Sequence, residues 1–300
     1  MQNRSLQRSL LRARDEWFTL RLLAQAETDA DEIAHALVRN NPYGENDALA
    51  SAIEQVGLPG HTEQIRIHLS HRLWCEARTA RWLLNEPLPP LDFEIQGEAW
   101  YAESKQRPTI LVVPMNLAQP DALTAVTRVA SGRRVVVYGE GVEDIPGVEV
   151  AGDGLSAVRR IRDVLAEGGL FCTYADFAYS NHPTVQTTIF GRTRPMSSGF
   201  LSFAQQKNVL LLPLTLTMDS TRQVCTLSFA EGFSFNDGED EDIDILGSQE
   251  STLSTVPHAS QRARALPLVA AQVASEMESM ISRMPLQWLL LPTLAFETHQ

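Results

Sequence analysis

From residue 93 onward, short apolar runs alternate with segments whose apolar residues have helical spacing, and this alternation limits the possible folds more than any other feature. The runs that predict strands are FEIQG, TILVV, RVVVYG, GVEV, GLFCTYA, TTIFG, NVLLLPLTL and QVCTLSFAEGF. Between them, segments such as PDALTAVTRVASG, LSAVRRIRDVLAEGG and SSGFLSFAQQKN predict helices that end near Gly or Asn. Strands that alternate with crossover helices predict an α/β fold with a mixed, mainly parallel sheet flanked by helices.

The first part of the chain has a different pattern. Apolar residues recur there at helical spacing, including Leu6, Leu10, Leu11, Trp17, Leu20, Ile33, Leu37, Ile65, Leu69, Leu73 and Leu84. The stretch NEPLPPLDF then ends the helical pattern, because adjacent prolines are poor helix formers. We therefore predict an N-terminal helical region over residues 1–86 and an α/β domain over residues 87–300.

Charge and composition exclude several classes of protein. The formal charge of −12 argues against nucleic-acid binding, which needs a basic face, and also against an electrostatic membrane anchor. The three cysteines are far apart and form no C-x-x-C pair, which predicts neither disulfides nor a zinc site and favours a reducing cytoplasm. The N-terminus is interrupted by arginines, unlike a signal peptide. No apolar run approaches the roughly 18 residues of a membrane span, so we expect no integral membrane segment.

Three local motifs lack the residues that their chemistry requires. GEGVED at residues 139–144 has no third glycine for a dinucleotide fingerprint. The acidic stretch at residues 236–261 does not have the ligand spacing of a calcium loop. His68 and His71 are three residues apart on a predicted helix, but no further ligand group accompanies them. The sequence therefore predicts no metal.

Four blocks of motifs from about residue 60 onward carry a resemblance to a known family. They are a strand that ends in Asn116-x4-Asp121, a helix and strand that lead to Asp176, the block IF-Gly191-Arg192-TRPMSSGFLSFA, and a closing PLQWLL. In this order they resemble the bacterial lipid A (lauroyl/myristoyl-type) acyltransferases of the lysophospholipid acyltransferase superfamily. That family has His-x4-Asp or His-x4-Glu where this chain has Asn116 and Asp121.

The resemblance implies transfer of an acyl group from an acyl carrier protein or CoA thioester to an acceptor, without a cofactor. In the family the histidine is the general base and the acidic residue orients it. The resemblance thus places Asn116 and Asp121 at the catalytic turn and Asp176, Gly191, Arg192 and Ser198 in the substrate cleft. Since asparagine accepts no proton, it can only orient the acceptor or donate to an oxyanion, and His182 is the alternative base.

Several interpretations stay open at this point. The protein is a variant acyltransferase for a small or carrier-bound acceptor, a catalytically inactive acyl-binding or carrier-binding protein, or a structural subunit of a biosynthetic complex. Asp121 is also a plausible helix N-cap, Ser198 a helix cap, and His182 a surface residue of its loop. An acidic carrier would need a local basic patch, for which Arg159, Arg160 and Arg162 or Arg192 and Arg194 are candidates.

Overall fold

The computed structural model describes residues 17–41, 44–138, 146–151, 154–176, 184–204, 208–219, 223–234 and 257–295. The helices in this part of the chain are α1 (residues 17–25), α2 (Ala30–Asn40), α3 (Asn46–Gln55), α4 (Thr62–Leu83), α5 (Glu98–Ser104), α6 (Gln119–Ala130), α7 (Gly154–Ala166), α8 (Gly199–Ala204) and α9 (Pro257–Ser282). None of them is both long enough and apolar enough to cross a bilayer.

The strands are β1 (Asp92–Gln96), β2 (Thr109–Val113), β3 (Val135–Val137), β4 (Val148–Val150), β5 (Leu170–Tyr174), β6 (Thr184–Ile189), β7 (Arg192–Ser197), β8 (Leu210–Asp219) and β9 (Val224–Phe229). Within the described ranges, seven of them form one sheet in the order β1-β9-β8-β2-β5-β3-β4. Only the β8–β9 pair in that sheet is antiparallel, while β6 and β7 form a separate hairpin. The predicted α/β class with a mainly parallel sheet is confirmed.

The central strands show why the sheet is parallel and buried. Every residue of β2 is buried, and β2 pairs in parallel with β5 on one side and β8 on the other. A strand with helices over both faces has no side that favours polar residues, which explains the continuous apolar run TILVV. One core cluster contains residues of α7, α8 and α9, and the other contains residues of α6.

The N-terminal helices pack onto the same cores as the sheet. Ile53 of α3 and Ile65 of α4 belong to the cluster that includes Ile110 of β2, whereas Trp74 of α4 belongs to the cluster that includes Leu111. Helix α4 therefore reaches both cores. Its residues His71 and Arg78 contact Asn116 and Asp121, which follow the carboxyl end of β2.

Three local features differ from what the sequence pattern predicts. The sequence pattern does not predict helix α5, because this helix is only seven residues long. The segment RTRPMS forms β7 although two arginines and a proline give it weak strand propensity, because pairing with β6 satisfies its backbone. The apolar segment WLLLPTLAF has strand length but forms a 3₁₀ turn over Leu291–Ala295. The calcium-like stretch and the GEGVED motif lie almost wholly outside the described residues.

Candidate functional site

The turn at residues 114–118 joins β2 to α6 at the carboxyl edge of the sheet, the place where open α/β sheets bind ligands. Asn116, where the resemblance predicts the family's catalytic histidine, is fully buried. Its amide nitrogen donates to the carbonyl oxygen of Leu216 and lies 3.2 Å from the sulfur of Met284. Its side-chain oxygen has no hydrogen-bond partner among the described residues. The amide group thus holds the turn to β8 rather than facing an open cleft.

Two histidines of α4 form hydrogen bonds with backbone carbonyl oxygens, one in the turn and one near the C-terminus. His71 Nε2 lies 2.7 Å from the Asn116 carbonyl oxygen, and His68 Nδ1 lies 3.0 Å from the Leu286 carbonyl oxygen, so each nitrogen carries a proton and donates. Burial lowers the pKa of His71 and lowers that of His68 to about 4, which keeps both rings neutral. Cys75 lies 3.5 Å from His71 Nε2, but burial raises the pKa of its thiol, which makes it a poor nucleophile. These histidines anchor the backbone, and no cluster of three metal-ligating side chains occurs within the described residues.

Asp121 lies in the first turn of α6 and is bound by a buried arginine. Arg78 Nε and Nη2 donate to its two carboxylate oxygens at 2.6 and 2.8 Å. The same guanidinium donates to Glu27 at 2.9 Å and to the Pro89 carbonyl at 2.8 Å, and it stacks 4.9 Å from the Trp74 ring. Arg78 is 1% exposed and Asp121 is 4% exposed. Since the bidentate pair uses both carboxylate oxygens, Asp121 orients an arginine here instead of an imidazole.

Asp176 follows β5 and faces the same turn from the other side. One of its oxygens accepts the Met115 backbone N–H at 2.9 Å and the Trp288 indole N–H at 2.6 Å. The other oxygen is buried without a partner in the described part of the chain. Burial raises the pKa of Asp176 to about 6, and the nearby charge of Arg194 opposes that rise. Asp176 thus contacts the turn directly and has a pKa raised toward neutrality.

This pKa predicts a pH-dependent stability. The native carboxyl titrates at about 6 and the unfolded one near 3.8, so between these values the native state holds a proton that the unfolded chain has released. The free energy of unfolding contributed by Asp176 therefore falls as pH rises through this window, by roughly 3 kcal/mol in all. Asp176→Asn removes the effect, so the variant should become more stable than the parent by up to about this amount above pH 6.

Urea denaturation of both proteins between about pH 4 and about pH 8 measures this difference. His68 and His71 contribute a pH dependence of opposite sign, but they are present in both proteins. The difference between the two free energies of unfolding therefore cancels their contributions. Asp163→Asn, on the exposed face of α7, is the matched control. Parallel profiles for the parent and Asp176→Asn would contradict the assigned titration.

Residues 284–291 lie across the carboxyl edge of the sheet and cover the turn. Their contacts join Met284 to Asn116, Gln287 to both backbone groups of Met218, Trp288 to Asp176, and the Leu289 N–H to the Met115 carbonyl at 2.8 Å. Trp288 is fully buried. The chain's own C-terminal segment thus occupies the space above the ends of β8, β2 and β5.

The crevice between α6 and the ends of β2, β3 and β5 is narrow. Its apolar lining includes Val113, Ala122, Val126 and Cys172. Its volume is about 10 Å³, which is room for about one water molecule and not for an acyl chain.

Gly191 and Arg192 lie in the β6–β7 hairpin, which is separate from the main sheet. Gly191 forms the two-residue turn between β6 and β7 with Phe190, and both have positive φ, at 70° and 50°. That turn type explains the glycine structurally. Arg192 Nε donates to the Gln55 side chain of α3 at 3.1 Å, and Ser198 lies at the junction of β7 and α8. His182 lies outside the described residues.

Several residues that shape the site gave little signal in the sequence. Arg78 is one of several arginines on α4, and nothing local marks it as buried. Arg194 approaches Asp176 and donates to Thr293 at 2.7 Å, which makes it a nearer partner of the acid than the predicted Arg192. Trp288 belongs to the quoted PLQWLL motif, so its importance could have been inferred from that resemblance.

Comparison with known proteins adds no identification. No model of a known protein family matches the sequence. No curated protein matches it either. The resemblance to lipid A acyltransferases thus depends on the quoted motifs and stays a prediction.

Proposed function

We propose that this protein is a non-catalytic acyltransferase-like protein that binds an acyl carrier protein and transfers no acyl group at Asn116 and Asp121. The observation that carries the proposal is that both positions are committed to buried contacts. The Asn116 amide is bonded to Leu216, and the Asp121 carboxylate is bonded to Arg78 through both oxygens. The Asn116 amide accepts no proton, and the Asp121 carboxylate cannot accept one from an acceptor and also keep its contacts with Arg78.

The surface of α7 supports a carrier as the partner. Leu155 is 76% exposed and Val158 is 37% exposed, and Arg159 and Arg162 are exposed on the same helix. Helix α7 begins shortly after β4, so its first turns lie at the carboxyl edge of the sheet. A basic and apolar helix face suits an acidic carrier, which would be steered by charge and held by the leucine.

A binding measurement tests the carrier interaction. An acyl carrier protein of fatty-acid synthesis should bind the immobilised protein in biolayer interferometry, and Leu155→Glu combined with Arg159→Glu should weaken the affinity at least about tenfold. Leu268→Glu is the matched control, because Leu268 is 75% exposed on α9. Absence of binding by the parent, or an equal loss in the control, would reject the carrier as partner.

A transfer assay tests the absence of catalysis. With acyl-CoA and acyl carrier protein donors and a panel of alcohol and amine acceptors, mass spectrometry should detect no acylated product above the background reaction. Asn116→His should stay inactive, because Asp121 remains paired with Arg78. Transfer by the parent that is lost in Asn116→Ala, or transfer gained in Asn116→His, would overturn the proposal. Asp121→Ala is a poor probe, since it also breaks the buried ion pair.

Asp176 favours a second candidate function, which is acyl transfer by a variant mechanism. A buried carboxylate with a pKa near 6 and an unpartnered oxygen at a strand end has the properties of a general base. The acceptor would have to displace Trp288 to reach it. In this case the parent would show transfer activity and Asp176→Asn would lose it while staying folded, whereas activity unchanged in Asp176→Asn would exclude this mechanism.

A further inference from the structure

One edge of strand β6 is unpaired in the part of the chain that the structure describes. Within those residues β6 pairs only with β7, through a two-residue turn that is closed by the pair Ile189 and Arg192. The residues that close such a turn exchange both of their backbone hydrogen bonds, and bonded pairs then alternate with non-bonded pairs along the ladder. Thus Val185 and Thr187 also bond to β7. The backbone N–H and C=O groups that point away from β7 are those of Thr184, Gln186 and Thr188.

The free edge of β6 lacks the usual protections against pairing with another chain. Pro195 lies opposite Gln186 and has no N–H to give to β6, which agrees with the outward direction of the Gln186 backbone. Exposed edges in natural proteins commonly carry a lysine, a proline or a β-bulge. The sequence of β6, TVQTTI, contains no charged residue and no proline, and its register with β7 is continuous. The edge is therefore ready to accept a further strand.

An open groove of about 620 Å³ lies beside this edge, between β6 and α9. This volume is in the range of sites that hold a ligand or a peptide segment. The wall formed by α9 includes Ala271, Ser275 and Ser279, which are small residues spaced four apart on one face of the helix. Small side chains let another backbone approach closely, so the groove has room for a strand at the usual spacing of about 4.8 Å from β6.

Charge indicates which kind of strand this groove accepts. Glu278 is the only charged residue that lines it, and its carboxylate already accepts the Phe190 N–H at 2.8 Å. A basic peptide would therefore gain little there, whereas an uncharged strand meets no opposing charge. Strand β6 itself is uncharged, although the whole chain has a formal charge of −12. The groove is thus a place where two acidic copies of the chain can meet without direct repulsion between the facing strands.

We propose that two copies of this chain form a dimer by pairing their β6 strands in antiparallel fashion, around a two-fold axis at Gln186. The two hairpins would then make one four-stranded sheet, with each β6 lying in the groove of the other copy. A two-fold interface has to be self-complementary. In this register Gln186 faces Gln186 of the partner subunit, and Thr184 faces the partner subunit's Thr188. Pairs of threonines across neighbouring strands stabilise a sheet.

The two-fold arrangement also keeps the two Glu278 carboxylates apart. Each is bonded to the N–H of Phe190, which is four residues from the axis. Since the strands run in opposite directions, the two carboxylates would lie roughly 27 Å apart along the sheet. That distance is several times the Debye length of about 8 Å at physiological ionic strength, so their repulsion is screened.

Sedimentation velocity of the full chain in a dilution series tests the proposal. We expect a reversible dimer with twice the mass of the 33.3 kDa chain. Gln186→Pro should weaken the dimer at least about tenfold, because it removes one outward N–H donor from each copy at the axis. The monomer should stay folded, since this N–H does not face β7 and proline is tolerated on a free edge. Far-ultraviolet circular dichroism checks the fold of each variant.

A charge exchange at the same position tests the two-fold register. Gln186→Lys and Gln186→Glu should each weaken the dimer at least about tenfold, because like charges then face each other directly at the axis. An equal mixture of the two variants should recover dimers, since each lysine then faces a glutamate. Thr193→Lys is the matched control: Thr193 is exposed on the neighbouring strand β7, and its replacement should leave the dimer unchanged.

Three results would overturn the proposal. The first is a parent that is monomeric at every concentration, in which case the edge is open to a strand of another protein. The second is a dimer that is weakened equally by Thr193→Lys, or that is not recovered in the mixture of charge variants. The third is a dimer that resists all the Gln186 substitutions but is lost in Trp17→Ala/Phe18→Ala, because the exposed face of α1 would then be the interface.

Discussion

Arg78→Met should lower the free energy of unfolding by about 3–5 kcal/mol, because it leaves the buried carboxylate of Asp121 without its cation and removes one of the two arginines that pair with Glu27. Asp121 would keep no charged partner, and Glu27 would keep only Arg81. Met replaces the aliphatic part of the arginine side chain but not the guanidinium that stacks on Trp74, so the loss includes this contact as well as the charge and the hydrogen bonds. Urea denaturation followed by circular dichroism measures the change.

A double-mutant cycle separates the ion pair from the packing around it. Asp121→Leu should also destabilise, because it leaves the Arg78 charge buried with fewer acceptors. The double variant should be destabilised by clearly less than the sum of the two single changes.

Arg134→Met is the matched control for the cycle. Arg134 makes comparable contacts with Glu149 and Glu167, but its side chain is 43% exposed. Its removal should have only a small effect, because water and salt screen an exposed pair. Additive losses for Arg78 and Asp121, or equal effects of Arg78→Met and Arg134→Met, would show that the buried pair is not what holds α4 to α6.

Trp288→Ala should cost about 3–5 kcal/mol, since it removes a fully buried indole and opens a cavity under the C-terminal segment. It also removes one of the hydrogen bonds that support the ionised form of Asp176. Trp288→Phe keeps most of the ring and loses only the N–H donor, so it should cost about 1–3 kcal/mol. The size of this smaller loss should increase with pH as Asp176 becomes ionised.

Hydrogen exchange provides a second measurement for Trp288. The Leu289 N–H, which donates to the Met115 carbonyl, should exchange faster in Trp288→Ala if this segment is what closes the carboxyl edge. Trp17→Ala is the control, because that tryptophan is exposed and should change neither stability nor exchange at Leu289. If exchange at Leu289 is unchanged in Trp288→Ala, contacts other than those of Trp288 hold residues 284–291 on the carboxyl edge.

Much of the architecture could be predicted because it depends on local patterns. β-Branched and apolar runs of five or more residues marked β2, β5 and β8, and the crossover helices between them required parallel pairing. The strand β7 escaped prediction because its arginines and proline carry no strand signal, and its conformation depends on pairing with β6. The parallel topology also brought the turn after β2 next to Asp176, as expected for two strands whose carboxyl ends share an edge.

The chemistry of the site could not be predicted in the same way. The spacing of Asn116 and Asp121 predicts a catalytic turn without the usual base, but it does not indicate what the two side chains contact. Their partners are distant in sequence: Arg78 is 43 residues from Asp121, and Leu216 is 100 residues from Asn116. Only the packing of α4 and β8 around the turn decides whether these groups face a substrate or a neighbour.

The sequence by itself thus determined the fold class, the order of the strands and of the helices between them, and the absence of an imidazole at position 116, because each depends on residue type and local spacing. Tertiary structure alone decided that Asp121 binds Arg78, that residues 284–291 cover the carboxyl edge, and that burial raises the pKa of Asp176. These properties depend on burial and on long-range contacts, since a carboxylate's pKa and partners are set by whichever groups the completed fold brings beside it.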